Sequence, residues 1–338
     1  MSNVNYKIPE TYPKYSLISE TTTIQPLTKL NKLLNGVEVY VKRDDVMGMG
    51  LAGNKLRKLE YLMGDAIQKN ADVIITSGGV QSNHARLTAV AASYAGLDYE
   101  LVLGQAVPKD DLEYTDNGNI LLENILDAKL HHLPKGADTA AFIESRINEL
   151  KEAGRRPYLI PMGGSSPTGC LGYASCFYEI LQQAEELDIH FNHLVVPNGS
   201  GGTHAGLLAA SKVADRNDIR IKSYAVLASM EDALNTTYQK ATDTLNLLNN
   251  TLTIHKDEVD IDPNFLGTAY GLPTTEMIDA VKLLSRTEGI FLDPVYSGKA
   301  FAGLLADINA GKFQKGERIL FILTGGLPGL FAYRSAFS

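Results

Sequence analysis

Short β-branched runs alternate along this chain with longer stretches of helical periodicity, and that alternation restricts the fold more than any other feature. Residues 37–42, 72–76, 100–103, 157–161, 193–197, 219–228 and 318–323 read as strands, most of them ending near Gly, Pro, Ser or Asn. Within residues 54–69, Leu59, Leu62, Met63, Ala66 and Ile67 fall at the spacing of one apolar helix face. Residues 82–95 and 203–214 are similar and rich in Ala, a strong helix former. A strand followed by a helix brings the next strand back parallel to the first, so both faces of each sheet are covered. The expected class is α/β, with open, twisted, mostly parallel sheets flanked by helices.

The length of 338 residues suggests about two domains at roughly 150 residues each, yet no flexible linker separates two halves. The chain is therefore expected to cross between units more than once, at the turn-rich segments 48–54 and 161–169. Residues 1–54 and 165–338 would form the larger, discontinuous unit and residues 55–164 the smaller α/β one. A ligand would bind between them, outside the carboxyl ends of strands.

Thirty-one Lys and Arg stand against 39 Asp and Glu, a formal net charge of −8, which argues against nucleic acid or an anionic membrane surface as partner. The residues from Met1 to Tyr15 carry no apolar stretch like a signal peptide, and no run of about 18 apolar residues occurs. A soluble, cytoplasmic protein is expected. Cys170 and Cys176 lack the partners of a zinc site or a disulfide framework and read as buried small apolar residues, so no metal is expected.

Four clusters carry candidate chemistry. In Gly53-Asn54-Lys55-Leu56-Arg57-Lys58, Lys55 opens a helix, where the macrodipole disfavours a cation and favours a nucleophilic amine able to condense with an aldehyde. Lys58 shares its face and could hold an anion beside that amine; the bland alternative is a solvated basic face. Gln81, Ser82, Asn83 and His84 follow Gly78-Gly79 at the start of the next Ala-rich helix. There they could receive a carboxylate or ring oxygen, or Ser82 or Asn83 could simply cap the helix. Ser82 does not sit in the Gly-x-Ser-x-Gly of a nucleophile elbow. Asn198-Gly199-Ser200-Gly201-Gly202-Thr203-His204 reads as a phosphate cup. His204 takes the place of the last glycine of a dinucleotide fingerprint, which argues against a nicotinamide dehydrogenase. Near the C-terminus stand Asp293-Pro294-Val295-Tyr296-Ser297 and Thr324-Gly325-Gly326, with Tyr270 upstream; alone, each tyrosine is as well explained by packing.

Together and in this order, these clusters resemble the aminocyclopropane-carboxylate deaminase and D-cysteine desulfhydrase family, tryptophan-synthase-β-like enzymes of fold type II that use pyridoxal 5′-phosphate. The resemblance runs from about Pro26 to Tyr333. It implies two sheets, a homodimer, and Lys55 as the Schiff-base lysine. It further implies Asn83 on the cofactor's ring 3′ oxygen, and Lys58, Ser200, Gly201, Gly202 and Thr203 on its phosphate. The larger unit would bind the cofactor. Ser82, with Gln81, Asn83 and His84 beside it, would receive the substrate carboxylate, and Tyr270 and Tyr296 would flank ring and substrate, Tyr296 as a second candidate base.

The family's deaminases carry Glu after that tyrosine and Leu at the start of the late Gly-Gly motif; here Ser297 and Thr324 occupy those places. A carboxylate at the pyridine nitrogen favours its protonation and a strong electron sink, whereas a neutral hydroxyl does not. The pair points to the desulfhydrase-like branch and to α,β-elimination from a small amino acid, D-cysteine first, giving pyruvate, ammonia and hydrogen sulfide. L-cysteate with sulfite leaving comes next, then cyclopropane opening; a non-catalytic binder of phosphorylated ligands is the alternative of a different class.

Overall fold

In the computed structural model, which describes residues 6–338, the strand–helix alternation resolves into two separate sheets. The strands are β1 (Ile24–Pro26), β2 (Glu38–Lys42), β3 (Val73–Gly79), β4 (Asp98–Gly104), β5 (Lys129–Leu133), β6 (Pro157–Ile160), β7 (His193–Asn198), β8 (Arg220–Ala225), β9 (Asp260–Asp262) and β10 (Arg318–Ile322). Six of them form a sheet in the order β1-β2-β10-β7-β8-β9, parallel except for β1 against β2. The other four, β5-β4-β3-β6, are all parallel. All seven expected strands are present. The three unexpected ones lie at sheet edges: β1 and β9 have three residues each, and β5 reads Lys-Leu-His-His-Leu.

Central strands are buried along their length, as β7 is from His193 to Asn198, because helices cover both faces. In each sheet the strand order reverses, at β3 in the smaller and beside β7 and β10 in the larger. Such reversals open a crevice at the carboxyl ends of the strands. The turns leaving β3, β7 and β10 carry the Ser82–His84, Ser200–Thr203 and Thr324–Gly326 segments into that crevice.

The helix Lys55–Gln68 stands between the two sheets. Leu59, Leu62, Met63 and Ala66 are buried as its periodicity requires, whereas Ile67, expected on the same face, is 40% exposed. Its basic face is not solvated. Arg57 is buried between Asp44, which accepts from its Nε and Nη2 at 2.9 Å each, and Glu179, which accepts from Nη1 at 2.8 Å. Burial this deep is tolerated because each charge is paired and hydrogen-bonded; Tyr173 and Thr22 also donate to Asp44. The helix Pro167–Glu186 packs so tightly on this helix that a Cβ on Gly172 would lie 2.1 Å from the Arg57 carbonyl oxygen.

Both cysteines are free and buried. No helix among the described residues is long and apolar enough to cross a membrane. The N-terminal stretch from Met1 to Tyr15 lies partly outside the described residues, at Met1–Asn5.

The close contact at Gly172 can be tested by substitution. Alanine is the better helix former by about 1 kcal/mol, so any net loss in Gly172→Ala measures the clash. Thermal unfolding should show a loss on the order of 1–3 kcal/mol, together with weakened ligand binding in the crevice. Unchanged stability would contradict the close approach.

Candidate active site

Lys55 is the first residue of its helix, and its Nζ donates to Asn54 Oδ1 at 2.9 Å. The amine is pushed down to about 8, chiefly by burial, with the Asp293 carboxylate opposing the shift. The sequence suggested the helix dipole as the cause; the structure adds burial of the amine. A neutral fraction of about one in ten at pH 7 makes this a usable nucleophile, where an ordinary lysine offers roughly one in several thousand.

Lys58 sits one turn on, 1% exposed, and donates to Ser165 Oγ at 2.8 Å and the Gly163 carbonyl at 3.3 Å. No carboxylate pairs with it among the described residues. Burial and then repulsion from Lys55 hold its amine well below the ordinary range. An unpaired buried ammonium is costly unless an anion joins it. The residues for an anion are adjacent. Ser165 Oγ meets Ser200 Oγ at 2.7 Å, and Thr203 Oγ1 accepts from Asn54 Nδ2 at 3.0 Å. Gly202 opens the helix Gly202–Val213 with its backbone N–H groups unsatisfied within the helix. A Cβ on Gly202 would fall 2.5 Å from Ser165 Oγ and 2.9 Å from Lys58 Nζ, inside the cup. Gly201 also lines the pocket, and its φ of +79°, with Thr237 2.8 Å from where a Cβ would lie, requires glycine there.

Across the pocket, Ser82 caps the helix Asn83–Tyr94, accepting from the Ala85 N–H at 3.1 Å, and lines the pocket as well, so its hydroxyl hydrogen is free to donate. Asn83 lines the pocket beside it. His84 is buried, with Nε2 2.8 Å from Thr76 Oγ1 and Nδ1 without a partner. Burial and the two lysines push its pKa well below the ordinary histidine value, so it is neutral. Gln81 does not line the pocket: its amide donates to the carbonyls of Tyr114 and Asn117 and accepts from the Asn119 N–H. That is a correction to the sequence reading, which placed Gln81 on the substrate.

Tyr296 and Tyr270 both line the pocket, their hydroxyls 2.5 Å apart. Burial and the neighbouring Tyr270 raise Tyr296 well above the ordinary phenol value, with Asp293 adding to the shift. Among the described residues no cation acts on Tyr296 strongly enough to offset these effects, and it is a neutral phenol. Thr324 reaches the pocket, but Ser297 does not. Its hydroxyl is engaged by Asp293, donating to Oδ1 at 2.6 Å and accepting from the Asp293 N–H at 2.9 Å. Of the two hydroxyls expected at the ring nitrogen, only Thr324 is available. Asp293 itself is buried and accepts from the backbone N–H groups of Val295, Tyr296 and Ser297.

Sequence reasoning passed over Ser165 and Lys240. Both reach the cup from distant segments, Lys240 donating to the Ser200 carbonyl at 2.6 Å. Asn54 was noticed only as a neighbour of Lys55, yet it links the amine to Thr203.

With this geometry in view, the family profile described as pyridoxal-phosphate dependent enzyme matches residues 17–325. The chain is 36% identical to the D-cysteine desulfhydrase of Serratia proteamaculans (strain 568), over 98% of each chain. It is 42% identical to a putative 1-aminocyclopropane-1-carboxylate deaminase of Pyrococcus furiosus, over 95% of this chain and 94% of that one. A crystal structure of an ACC deaminase homologue superposes with a TM-score of 0.89 at 38% identity, covering 100% of this chain and 99% of that one. The chain belongs to the pyridoxal-phosphate dependent enzymes, is of fold type II, and uses pyridoxal phosphate as its cofactor. The residues fit that group: a nucleophilic amine suits the aldehyde, and a buried cation without a counter-ion beside a Cβ-free cup suits the phosphate.

The unpaired Lys58 amine should mark the stability of the cofactor-free protein. Its depressed pKa means the charged form destabilises the fold below that pKa, and the penalty fades as pH rises toward the unfolded-state value. Lys58→Met should therefore raise the stability of the cofactor-free protein by about 1 kcal/mol or more near pH 6, with less gain near pH 10. The same variant should lose most of the thermal shift that added cofactor gives the parent. Destabilisation at pH 6 with cofactor binding intact would contradict the assignment.

Proposed function

We propose that this lyase carries out α,β-elimination from D-cysteine, releasing hydrogen sulfide and, after addition of one water, pyruvate and ammonia. The observation that carries this reading is the pocket wall. It presents the neutral hydroxyl of Thr324 and no aspartate or glutamate side chain. The nearby Asp293 has its carboxylate committed to its own turn. Without a carboxylate to protonate the pyridine nitrogen, the site suits expulsion of a good leaving group better than opening of a carbon ring. Among the described residues lining the pocket, Lys55 and Lys58 are the lysines, and Lys240 reaches the cup beside Lys58. With Lys58 and Lys240 at the phosphate and Lys55 at the aldehyde, no cation is set aside for a sulfonate, which favours sulfide over sulfite as the leaving group. The relatives named D-cysteine desulfhydrase, at 36–38% identity, support the same reading. Cyclopropane-ring opening is the second reading, on the strength of the Pyrococcus furiosus relative's name.

In this proposal Lys58, Ser200, Gly202 and Thr203 hold the cofactor phosphate, while Gly201 shapes the turn. Asn83 donates to the ring oxygen and Thr324 faces the ring nitrogen. Pyridoxal phosphate, when bound, supplies an electron sink for the pair left on the substrate Cα. Ser82 and the N–H groups at the start of its helix receive the substrate carboxylate. Lys55, neutral in appreciable fraction at pH 7, takes the Cα proton. Tyr296, joined to Tyr270, donates or relays a proton through its hydroxyl and does not act as a phenolate base. His84, neutral and buried, lines the pocket with its Nε2 held at Thr76 and leaves the proton work to Lys55. We further propose that residues 1–54 and 165–338 form the larger, cofactor-binding unit and residues 55–164 the smaller one, and that the enzyme is a cytoplasmic homodimer.

Keto-acid release, measured side by side as pyruvate from D-cysteine, L-cysteine and L-cysteate and as the four-carbon 2-oxo acid from aminocyclopropane-carboxylate, tests the proposal. D-cysteine should exceed the others in kcat/KM by about 10²-fold or more, and Thr324→Leu should lower that value without abolishing cofactor binding. Preferred turnover of L-cysteate or of the cyclopropane would overturn the substrate assignment.

A further inference from the structure

Behind Asn83 lies a chain of hydrogen bonds whose direction is fixed by chemistry. Arg86, 1% exposed, donates from Nε to Asn119 Oδ1 at 2.7 Å. A guanidinium has donors only, so the Asn119 oxygen must face it. The Asn119 Nδ2 therefore points the other way, donating to Asn83 Oδ1 at 3.0 Å and to the Gln81 carbonyl at 3.1 Å. Turning the Asn83 carboxamide over would set two NH₂ groups against each other. Its Nδ2 is thus aimed away from Asn119, toward the turn after β10, where a Cβ on Gly326 would come within 2.8 Å of it. That turn contributes Thr324 and Gly325 to the pocket, and Asn83 Nδ2 has no hydrogen-bond partner among the described residues.

We propose that Asn119, oriented by Arg86, is a positioning residue that holds the Asn83 carboxamide with its NH₂ toward the cofactor's ring oxygen. The inference rests on the reading above that places Asn83 on that oxygen. Asn119, 36 residues away in sequence, is the first residue of the helix Asn119–Ile125, is fully buried, and touches Asn83 without lining the pocket. The same residue occupies Gln81: the Asn119 N–H donates to Gln81 Oε1 at 2.9 Å, so the segment from Gln81 to Asn83 is held at both side chains and backbone. Asn124 and Glu123 lie on the helix Asn119–Ile125 that begins at this residue. Glu123 is buried near Arg86, and burial raises its pKa to about 8, leaving it largely neutral at pH 7. It therefore does not compete with Asn119 for Arg86 as a full charge.

Asn119→Asp keeps an acceptor for Arg86 and removes the donor to Asn83. With a carboxylate oxygen now facing it, Asn83 turns its NH₂ toward that oxygen and presents its own carbonyl to the ring. In full-length protein, cofactor affinity should fall about tenfold (about 1.4 kcal/mol). The visible band of bound pyridoxal phosphate should titrate at higher pH, because a ring oxygen that has lost a donor holds the neighbouring proton more tightly. Asn83→Ala should show the same two changes, and the double variant should add little to either. A residue of merely structural importance would lower the melting temperature and leave the titration where it was. Should Asn119→Asp fold poorly, Arg86→Met, which frees Asn119 to turn, is expected to shift the titration in the same direction. An unshifted band and unchanged affinity in the Asn119 and Arg86 variants, with Asn83→Ala shifted, would overturn this inference and leave the proposed function standing. No shift in Asn83→Ala would overturn both this inference and the placement of Asn83 on the ring.

Discussion

Two lysine amines, three residues apart on one helix and removed from water without a carboxylate partner on the second, are the constraint around which this molecule is arranged. Charge burial of this kind is unfavourable in an empty protein and becomes favourable only when an anion and an aldehyde arrive together. The same helix carries Arg57, whose charge is fully matched by Asp44 and Glu179. The fold thus balances the cation that anchors the helix and leaves Lys58, which faces the crevice, without a carboxylate.

Architecture follows from holding that helix still. It lies between the two sheets, and the pocket is completed by turns leaving β3, β7 and β10 at the places where strand order reverses. Glycine appears where a backbone must approach a ligand, as at Gly202, or adopt positive φ, as at Gly201. The composition of the pocket wall, two amines and the hydroxyls of Ser82, Thr324 and Tyr296 with no carboxylate side chain among the described lining residues, is what the proposed choice of elimination over ring opening rests on.

Much of this is legible in the sequence. Strands buried on both faces are long β-branched runs, and the clusters around Lys55, Asn83 and Gly202 are contiguous, so residue order alone exposes their chemistry. The edge strand β5, with lysine and two histidines in five residues, carries no such signal. Direction of side chains is not legible. Gln81 and Ser297 sit in the right segments, yet the 114–119 loop engages the one and Asp293 the other. Ser165, Lys240 and Asn119 reach the site from segments 35 to 40 residues away from their partners, and no local pattern announces such a contact. The helix dipole is a reasonable first cause for the depressed Lys55 amine, but its burial, which lowers it further, is invisible from sequence.

The central claim is that Lys55 is the amine that joins the cofactor. Reduction of the cofactor-loaded enzyme with borohydride, followed by proteolysis and peptide mapping, tests it most directly. The pyridoxyl group should be found on Lys55 alone, and Lys55→Ala should leave no reducible adduct. Label on Lys58, buried beside it, or on Lys299, the other lysine pushed down to about 8 by burial, would contradict the account.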